Sequence, residues 1–130
     1  MNQMEFYQAK LAFETDSWDL FQGLEAGEGL AVVDARSKAA WQAEHIPGAV
    51  NIPHAAMSDL TCGHLDRSLT YVTYCDGIGC NASTKGALNL TKLGFKVKEL
   101  LGGLDWWKRD GYATDGERSV SGKRVAKKEG

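Results

Sequence analysis

Residues 70–81 read Thr-Tyr-Val-Thr-Tyr-Cys-Asp-Gly-Ile-Gly-Cys-Asn, and they contain the clearest secondary-structure pattern of the chain. The first six residues are mostly β-branched or aromatic, which predicts a strand that ends at Cys75. A glycine-rich loop follows, and a helix capped by Ser83 or Thr84 is predicted to run to about Leu93. A strand, a loop and a helix in this order indicate an α/β fold.

The same alternation continues on both sides of this unit. The predicted strands cover residues 30–34, 49–52 and 95–101, and the predicted helices cover residues 17–26, 37–44 and a last segment with Trp106 and Trp107. Such alternation predicts a parallel sheet covered by helices on both faces. Because ligands bind beyond the carboxyl ends of parallel strands, Asp34, Cys75 and Gly102 should lie at one edge.

Length and composition place the chain among ordinary globular proteins. It has 130 residues, 43% of them hydrophobic and 25% charged, with a net charge of -2. We expect a helical extension at residues 1–12, one domain at residues 13–114 and a polar, frayed tail at residues 115–130. This balance predicts neither a nucleic acid nor a membrane partner. The start of the chain does not resemble a secretory signal, so we expect a cytoplasmic protein.

Cys75 stands where a nucleophile can be activated. Backbone N–H groups of a loop entering a helix can face inward and stabilise an anion, as does the positive end of the helix dipole. A thiolate there is expected to be nucleophilic, with backbone freedom from Gly77 and Gly79 and a hydrogen bond from Ser83. The alternative is a buried cysteine that only packs in the core.

Three motifs in order resemble the rhodanese family. They are residues 32–36 with Trp41 and residues 45–53; Tyr74 and Cys75 with the loop; and residues 93–95 with residues 101–103 and Trp107. The resemblance implies a five-stranded parallel sheet flanked by helices on both faces. It also implies sulfur transfer from thiosulfate or a persulfide to cyanide, a thiol or a protein acceptor through a persulfide on Cys75, without a cofactor. The loop residues around the sulfur would be Asp76, Gly77, Ile78, Gly79, Cys80, Asn81, Ala82 and Ser83.

The loop departs from the commonest pattern of that family. No arginine or lysine stands between Cys75 and Ser83, so a bidentate anion clamp is missing. Asp76 adds a negative charge, and Lys85 can compensate only in part. We therefore expect modest activity with thiosulfate and a better donor in a protein or small-molecule persulfide. Phosphatase-type chemistry on related folds needs an arginine where Asn81 stands, and is disfavoured.

Several residues are expected to support the site. In the family, the positions of Asp34 and Arg36 brace the nearby loops, and direct substrate contact by Arg36 is the weaker alternative. His45 is read as a structural, hydrogen-bonded residue. Cys80 is either a thiol that resolves Cys75 or a side chain packed under the loop. Cys62, His54 and His64 match no zinc spacing, so no metal is expected.

Two other functions stay open at this point. The fold can serve as a non-enzymatic interaction module, since a fold does not fix a function. Cys75 and Cys80 can also form a redox switch.

Overall fold

The computed structural model describes residues 1–126, which form an α/β fold. The helices are Gln3–Phe13 (α1), Ser17–Ala26 (α2), Lys38–Ala43 (α3), Asp59–Cys62 (α4), Ala82–Lys92 (α5) and Gly103–Arg109 (α6). The strands are Glu14–Thr15 (β1), Leu30–Asp34 (β2), Val50–Asn51 (β3), Thr70–Tyr74 (β4) and Lys96–Leu100 (β5), and a 3₁₀ turn covers His54–Ala56.

The five strands form one parallel sheet in the order β1-β5-β4-β2-β3. The predicted fold class is therefore confirmed. β4 lies at the centre, where it pairs with β2 over five residues, from Leu30 opposite Thr70 to Asp34 opposite Tyr74. Because the central strand is covered on both faces, its end is a well-fixed position for a reactive side chain.

Alternate residues of the central strands enter two separate cores. Val32 and Val72 pack with Phe21 of α2 and Trp107 of α6 in one cluster. The neighbouring Val33 packs in the other cluster, on the opposite face of the sheet, with Tyr71 of β4 and Leu90 of α5. The sheet is thus covered by helices on both faces, as predicted.

Two local expectations need correction. α5 begins at Ala82, after Asn81, and no side chain caps it, whereas Ser83 and Thr84 lie inside its first turn. The spacing of apolar residues in 17–26 predicts that Trp18 lies on the inner face of α2 with Phe21 and Leu24, but 62% of the Trp18 surface is exposed. α5 thus begins before the hydroxyl residues that were expected to cap it, whereas α2 begins at Ser17 as predicted and only the exposure of Trp18 differs.

The two termini differ in how they contact the domain. α1 contains no buried residue. Residues 115–126 fold back on the domain: the Ala113 amide donates to the Lys123 carbonyl at 3.0 Å, Arg124 pairs with Asp115 at 2.8 Å, and Val125 packs against the core. These contacts differ from the expected frayed tail, because the polar chain finds backbone partners. Residues 127–130 of that tail lie outside the described range, and the division at residues 1–12, 13–114 and 115–130 stays a prediction.

No helix in the part of the chain that the structure describes is long and apolar enough to cross a membrane.

Candidate active site

The carboxyl ends of the central strands form the base of the candidate site. Asp34 ends β2, Cys75 follows β4 and Gly102 follows β5. The amide of Ala35 donates to the Tyr74 carbonyl at 3.3 Å, and the amide of Leu104 donates to the Cys75 carbonyl at 2.9 Å. The structure therefore brings all three residues to one edge of the sheet, as the strand pattern predicts.

Gly103 lets the start of α6 approach Cys75. Its backbone is left-handed, with φ at +56°, and a Cβ atom there would collide with the Cys75 carbonyl oxygen and lie 2.9 Å from the Gly77 nitrogen. Gly77 faces α6 at the same contact, where a Cβ would lie 3.2 Å from the Asp105 Cβ. Only Gly79 of the two loop glycines has a positive φ, at +88°, so Gly77 is required for close approach and Gly79 for backbone conformation.

We expect Gly103→Ala to destabilise the fold more than Gly111→Ala does. Both glycines have positive φ, which costs an added side chain about 1–2 kcal/mol. A Cβ at Gly111 meets nothing within 4 Å, whereas at Gly103 it meets the Cys75 backbone. Urea unfolding should show an additional loss of about 1–3 kcal/mol for Gly103→Ala. Equal losses for the two variants would contradict this packing role.

The loop after Cys75 leaves most of its amide groups free. The Cys80 amide donates to the Gly77 carbonyl at 3.3 Å. The amides of Asp76, Gly77, Ile78, Gly79 and Asn81 find no acceptor among residues 1–126. Unpaired N–H groups in a tight loop can bind an anion. This arrangement is compatible with the expected cradle for a thiolate or a persulfide.

Cys75 and Cys80 lie in direct contact. Their Cα atoms are 6.1 Å apart and their sulfurs form a disulfide. The Cys75 side chain is 2% exposed, whereas Cys80 is partly exposed on the loop. Of the two interpretations of Cys80, the contact favours a thiol that reacts with Cys75.

Ser83 does not bond to the sulfur as expected. Its hydroxyl donates to Glu99 Oε2 at 2.7 Å, and the Thr84 hydroxyl donates to the same oxygen at 2.6 Å. A carboxylate from β5 thus accepts hydrogen bonds from both hydroxyl groups at the start of α5, where the helix dipole favours an anion. Lys85 is exposed and forms no salt bridge among the described residues. Local patterns did not reveal Glu99 as the partner of these two hydroxyl groups.

Arg36 links the sheet to the loop. The guanidinium is 8% exposed and contacts Asp34 with an Nη2–Oδ2 distance of 2.7 Å. Its Nη1 reaches Asp76 Oδ1 at 2.8 Å. The guanidinium thus connects a buried carboxylate to a loop residue, and the bracing role that the resemblance implies stays a prediction. The negative charge expected at Asp76 is therefore shared with Arg36 rather than free at the mouth.

Tyr74 completes this buried network. Its hydroxyl donates to Asp34 Oδ2 at 2.7 Å and accepts the Ile46 amide at 3.1 Å. Burial raises the pKa of the Tyr74 phenol well above the ordinary 10.0, and the charge of Asp34 raises it further. The phenol therefore remains protonated and keeps one Asp34 oxygen paired.

Alkaline pH should weaken the fold partly through Tyr74. Above about pH 10 the unfolded chain loses this proton while the native chain keeps it, so the free energy of unfolding falls as pH rises. Burial also raises the pKa of Tyr71 and Tyr112, which adds to the slope. Tyr74→Phe should therefore be less stable at neutral pH but lose less stability between about pH 9 and 11. In urea titrations, exposed Tyr7→Phe serves as the control, and a slope in Tyr74→Phe equal to that of wild type would contradict this role.

His45 has a structural environment. Its ring stacks on Trp41 with the centroids 4.3 Å apart, and its Nδ1 lies 2.6 Å from the Trp41 carbonyl oxygen. Its backbone pairs with that of Asp115. These contacts are compatible with a structural, hydrogen-bonded histidine.

Two cavities adjoin the loop. A cleft of about 590 Å³ contains Cys80 in its wall and carries apolar and acidic side chains, among them Trp18, Ile78, Trp106, Asp16 and Asp110. A cavity of about 280 Å³ beside Asp76 is lined by Arg36, Lys108 and Arg118. A larger groove of about 1010 Å³ between α1 and α5 contains none of residues 75–81. The first two cavities border the loop and give it access to solvent, and we place the candidate site there.

Among the residues that the structure describes, one small cluster of cysteine and aspartate side chains is compact enough to hold a metal ion. Cys75, Asp76 and Cys80 each offer one ligand atom, all within 4.8 Å of one another. The two sulfurs are bonded to each other and Asp76 is paired with Arg36, so these groups already have partners. Cys62, His54 and His64 do not join that cluster.

Comparison with known proteins finds relatives that are similar to this chain in both sequence and structure. The model of the rhodanese-like domain matches residues 17–110. The crystal structure of BH2092 from Bacillus halodurans superposes with a TM-score of 0.84 at 38% identity, over 89% of this chain and 85% of that one. The rhodanese-like domain of Alr3790 from Anabaena gives a TM-score of 0.70 at 29% identity, over 90% and 91%.

One curated relative is a longer protein. The HTH-type transcriptional regulator Rv0324 of Mycobacterium tuberculosis is 35% identical over 97 residues, which are 75% of this chain and 42% of that protein. This chain therefore spans less than half the length of that regulator.

Proposed function

Because this chain belongs to the rhodanese-like domain family, we propose that it is a sulfurtransferase whose sulfur carrier is Cys75. The family includes sulfurtransferases but also many members without catalysis, so the proposal depends on the site. The observation that carries it is the position of Cys75 under a loop with free amides at the end of the central strand. A core cysteine without chemistry would need no such loop.

The reaction consists of two displacements at sulfur. The Cys75 thiolate attacks the sulfane sulfur of a donor, a new S–S bond forms, and the donor leaves with the bonding pair as sulfite or a thiolate. Cyanide or an acceptor thiolate then attacks the outer sulfur and releases the Cys75 thiolate. The loop amides favour the anionic thiolate and persulfide. Because the sulfur is held covalently in between, two easier steps replace one difficult transfer.

The charges around the site favour an organic persulfide over thiosulfate as donor. Two of the cationic groups near the loop are engaged, since Arg36 pairs with Asp34 and Asp76 and Lys108 pairs with Glu44 at 2.9 Å. Thiosulfate carries two negative charges, and the loop from Cys75 to Ser83 contains no arginine to hold them as a bidentate clamp. We expect kcat/KM to be about tenfold or more higher with glutathione persulfide, which equals about 1.4 kcal/mol.

An assay of thiocyanate formation tests this proposal. Reduced protein is mixed with excess cyanide and with either thiosulfate or glutathione persulfide, and rates without protein are subtracted. Thiocyanate should form with both donors, faster with the persulfide. If neither donor gives thiocyanate above the rate without protein, the sulfurtransferase proposal fails.

A redox switch is the second candidate. The contact between Cys75 and Cys80 favours it, and one relative is named as a transcriptional regulator. A switch would form the disulfide under mild peroxide and would take no sulfur from any donor. The thiocyanate assay therefore separates the two candidates.

A further inference from the structure

The loop places a second thiol against the sulfur that would carry the persulfide. Cys80 follows Cys75 by five residues, and their Cα separation of 6.1 Å lies within the range for disulfides. The turn between them is closed by the hydrogen bond from the Cys80 amide to the Gly77 carbonyl. Neither β4 nor α5 has to move for Cys80 to reach the Cys75 sulfur.

The two sulfurs differ in access. Cys75 is 2% exposed, whereas Cys80 is partly exposed and lines the cleft of about 590 Å³. Cys75 is not among the residues that line this cleft. A thiol arriving from solvent therefore meets the sulfur of Cys80 first.

We propose that the chain releases the carried sulfur as hydrosulfide, with Cys80 as the resolving thiol. This step depends on the proposed function, because it starts from the Cys75 persulfide. The Cys80 thiolate attacks the inner sulfur, which is Cys75 Sγ. The bond between Cys75 and Cys80 forms, the bond to the outer sulfur breaks, and the outer sulfur leaves with the electron pair as hydrosulfide.

The geometry supports attack on the inner sulfur. The bonded pair in the structure is the product of that attack, and it is reached within the loop. Attack on the outer sulfur would instead move the sulfane sulfur to Cys80 and leave no disulfide. The two routes therefore differ in a product that can be measured.

A thiol must then restore the reduced site. One thiol attacks the partly exposed Cys80 sulfur, forms a mixed disulfide with it and frees the Cys75 thiolate. A second thiol then attacks this mixed disulfide, so the Cys80 thiolate is freed and the two thiols leave as one disulfide. Over one cycle, thiosulfate and two thiols give sulfite, hydrogen sulfide and one disulfide. The two electrons that reduce the sulfane sulfur come from the two thiols.

A single-turnover experiment without thiol tests the release step. Fully reduced, desalted protein is mixed with one equivalent of thiosulfate under anaerobic conditions, and sulfite, hydrosulfide and intact mass are followed. Wild type should release sulfite and about one hydrosulfide for each chain, lose the mass of two hydrogens and contain a peptide cross-linked at Cys75 and Cys80. The control is Cys62→Ser, which replaces the buried free cysteine and should give the same result as wild type.

Cys80→Ser should hold the sulfur that wild type releases. It should gain the mass of one sulfur and give hydrosulfide only after a thiol is added, and Cys80→Ala replaces it if serine disturbs the loop. Sulfite release by wild type with the added sulfur retained on Cys75 would overturn the release step but leave the sulfurtransferase intact. A persulfide found on Cys80 would also overturn it. If no sulfite appears with either protein and glutathione persulfide adds no sulfur to either, the sulfurtransferase proposal itself fails, and the release step fails with it.

Discussion

Replacing Cys75 with serine lowers the rate of sulfur transfer on the order of a thousandfold or more, because the nucleophile that forms the covalent intermediate is lost. The loop and its free amides remain, but a hydroxyl at this position cannot carry the sulfane sulfur. Thiocyanate formation from glutathione persulfide measures the effect. The thiol-to-hydroxyl change is nearly isosteric, so the fold should be retained.

Cys62→Ser is the matched control for that variant. Cys62 is 1% exposed and packs in the core cluster on the other face of the sheet from α2 and α6. Its replacement should lower stability slightly but leave transfer within about twofold of wild type. If Cys62→Ser loses sulfur transfer while Cys75→Ser keeps it, Cys62 and not Cys75 is the sulfur carrier.

Arg36→Met destabilises the chain by about 3–5 kcal/mol, since it leaves a buried carboxylate without its cation. Asp34 is 0% exposed, and after the change it keeps only the Tyr74 hydroxyl and the amide of residue 36 as partners. The loss also frees Asp76 from its brace, so transfer should fall together with stability. Urea unfolding at neutral pH measures the effect.

Two further variants separate the buried half of this network from the exposed half. Asp76→Asn breaks only the pair whose carboxylate is 74% exposed, and should cost about 1 kcal/mol or less. In the double variant Asp34→Asn with Arg36→Met the buried charge is gone, so part of the stability should return. If Arg36→Met costs no more than Asp76→Asn, the buried ion pair does not hold the loop.

Local patterns were sufficient for the strands and for the position of Cys75. Residues 70–74 are β-branched or aromatic and form the central strand, and Gly79 takes the positive φ for which its residue type is suited. The order of strands and helices then fixed the shared edge of Asp34 and Cys75. These features depend on neighbours in sequence or on a general rule for parallel sheets.

Contacts between distant residues were beyond the reach of local patterns. The Ser83 hydroxyl bonds to Glu99, which lies on another element, and Asp76 pairs with Arg36 across 40 positions. A hydroxyl near a reactive sulfur has several possible partners, and sequence spacing does not select among them. The folded-back segment at residues 115–126 escaped prediction for the same reason, since its partners are backbone groups.

Mass mapping of sulfur on the Cys80→Ser protein tests whether Cys75 carries the transferred sulfur. The reduced variant is treated with glutathione persulfide, freed of excess donor, alkylated and digested, and each cysteine peptide is weighed. We expect one additional sulfur on the peptide that contains Cys75 and none on the peptide that contains Cys62. No additional sulfur on any peptide, or sulfur on Cys62 alone, would contradict this expectation.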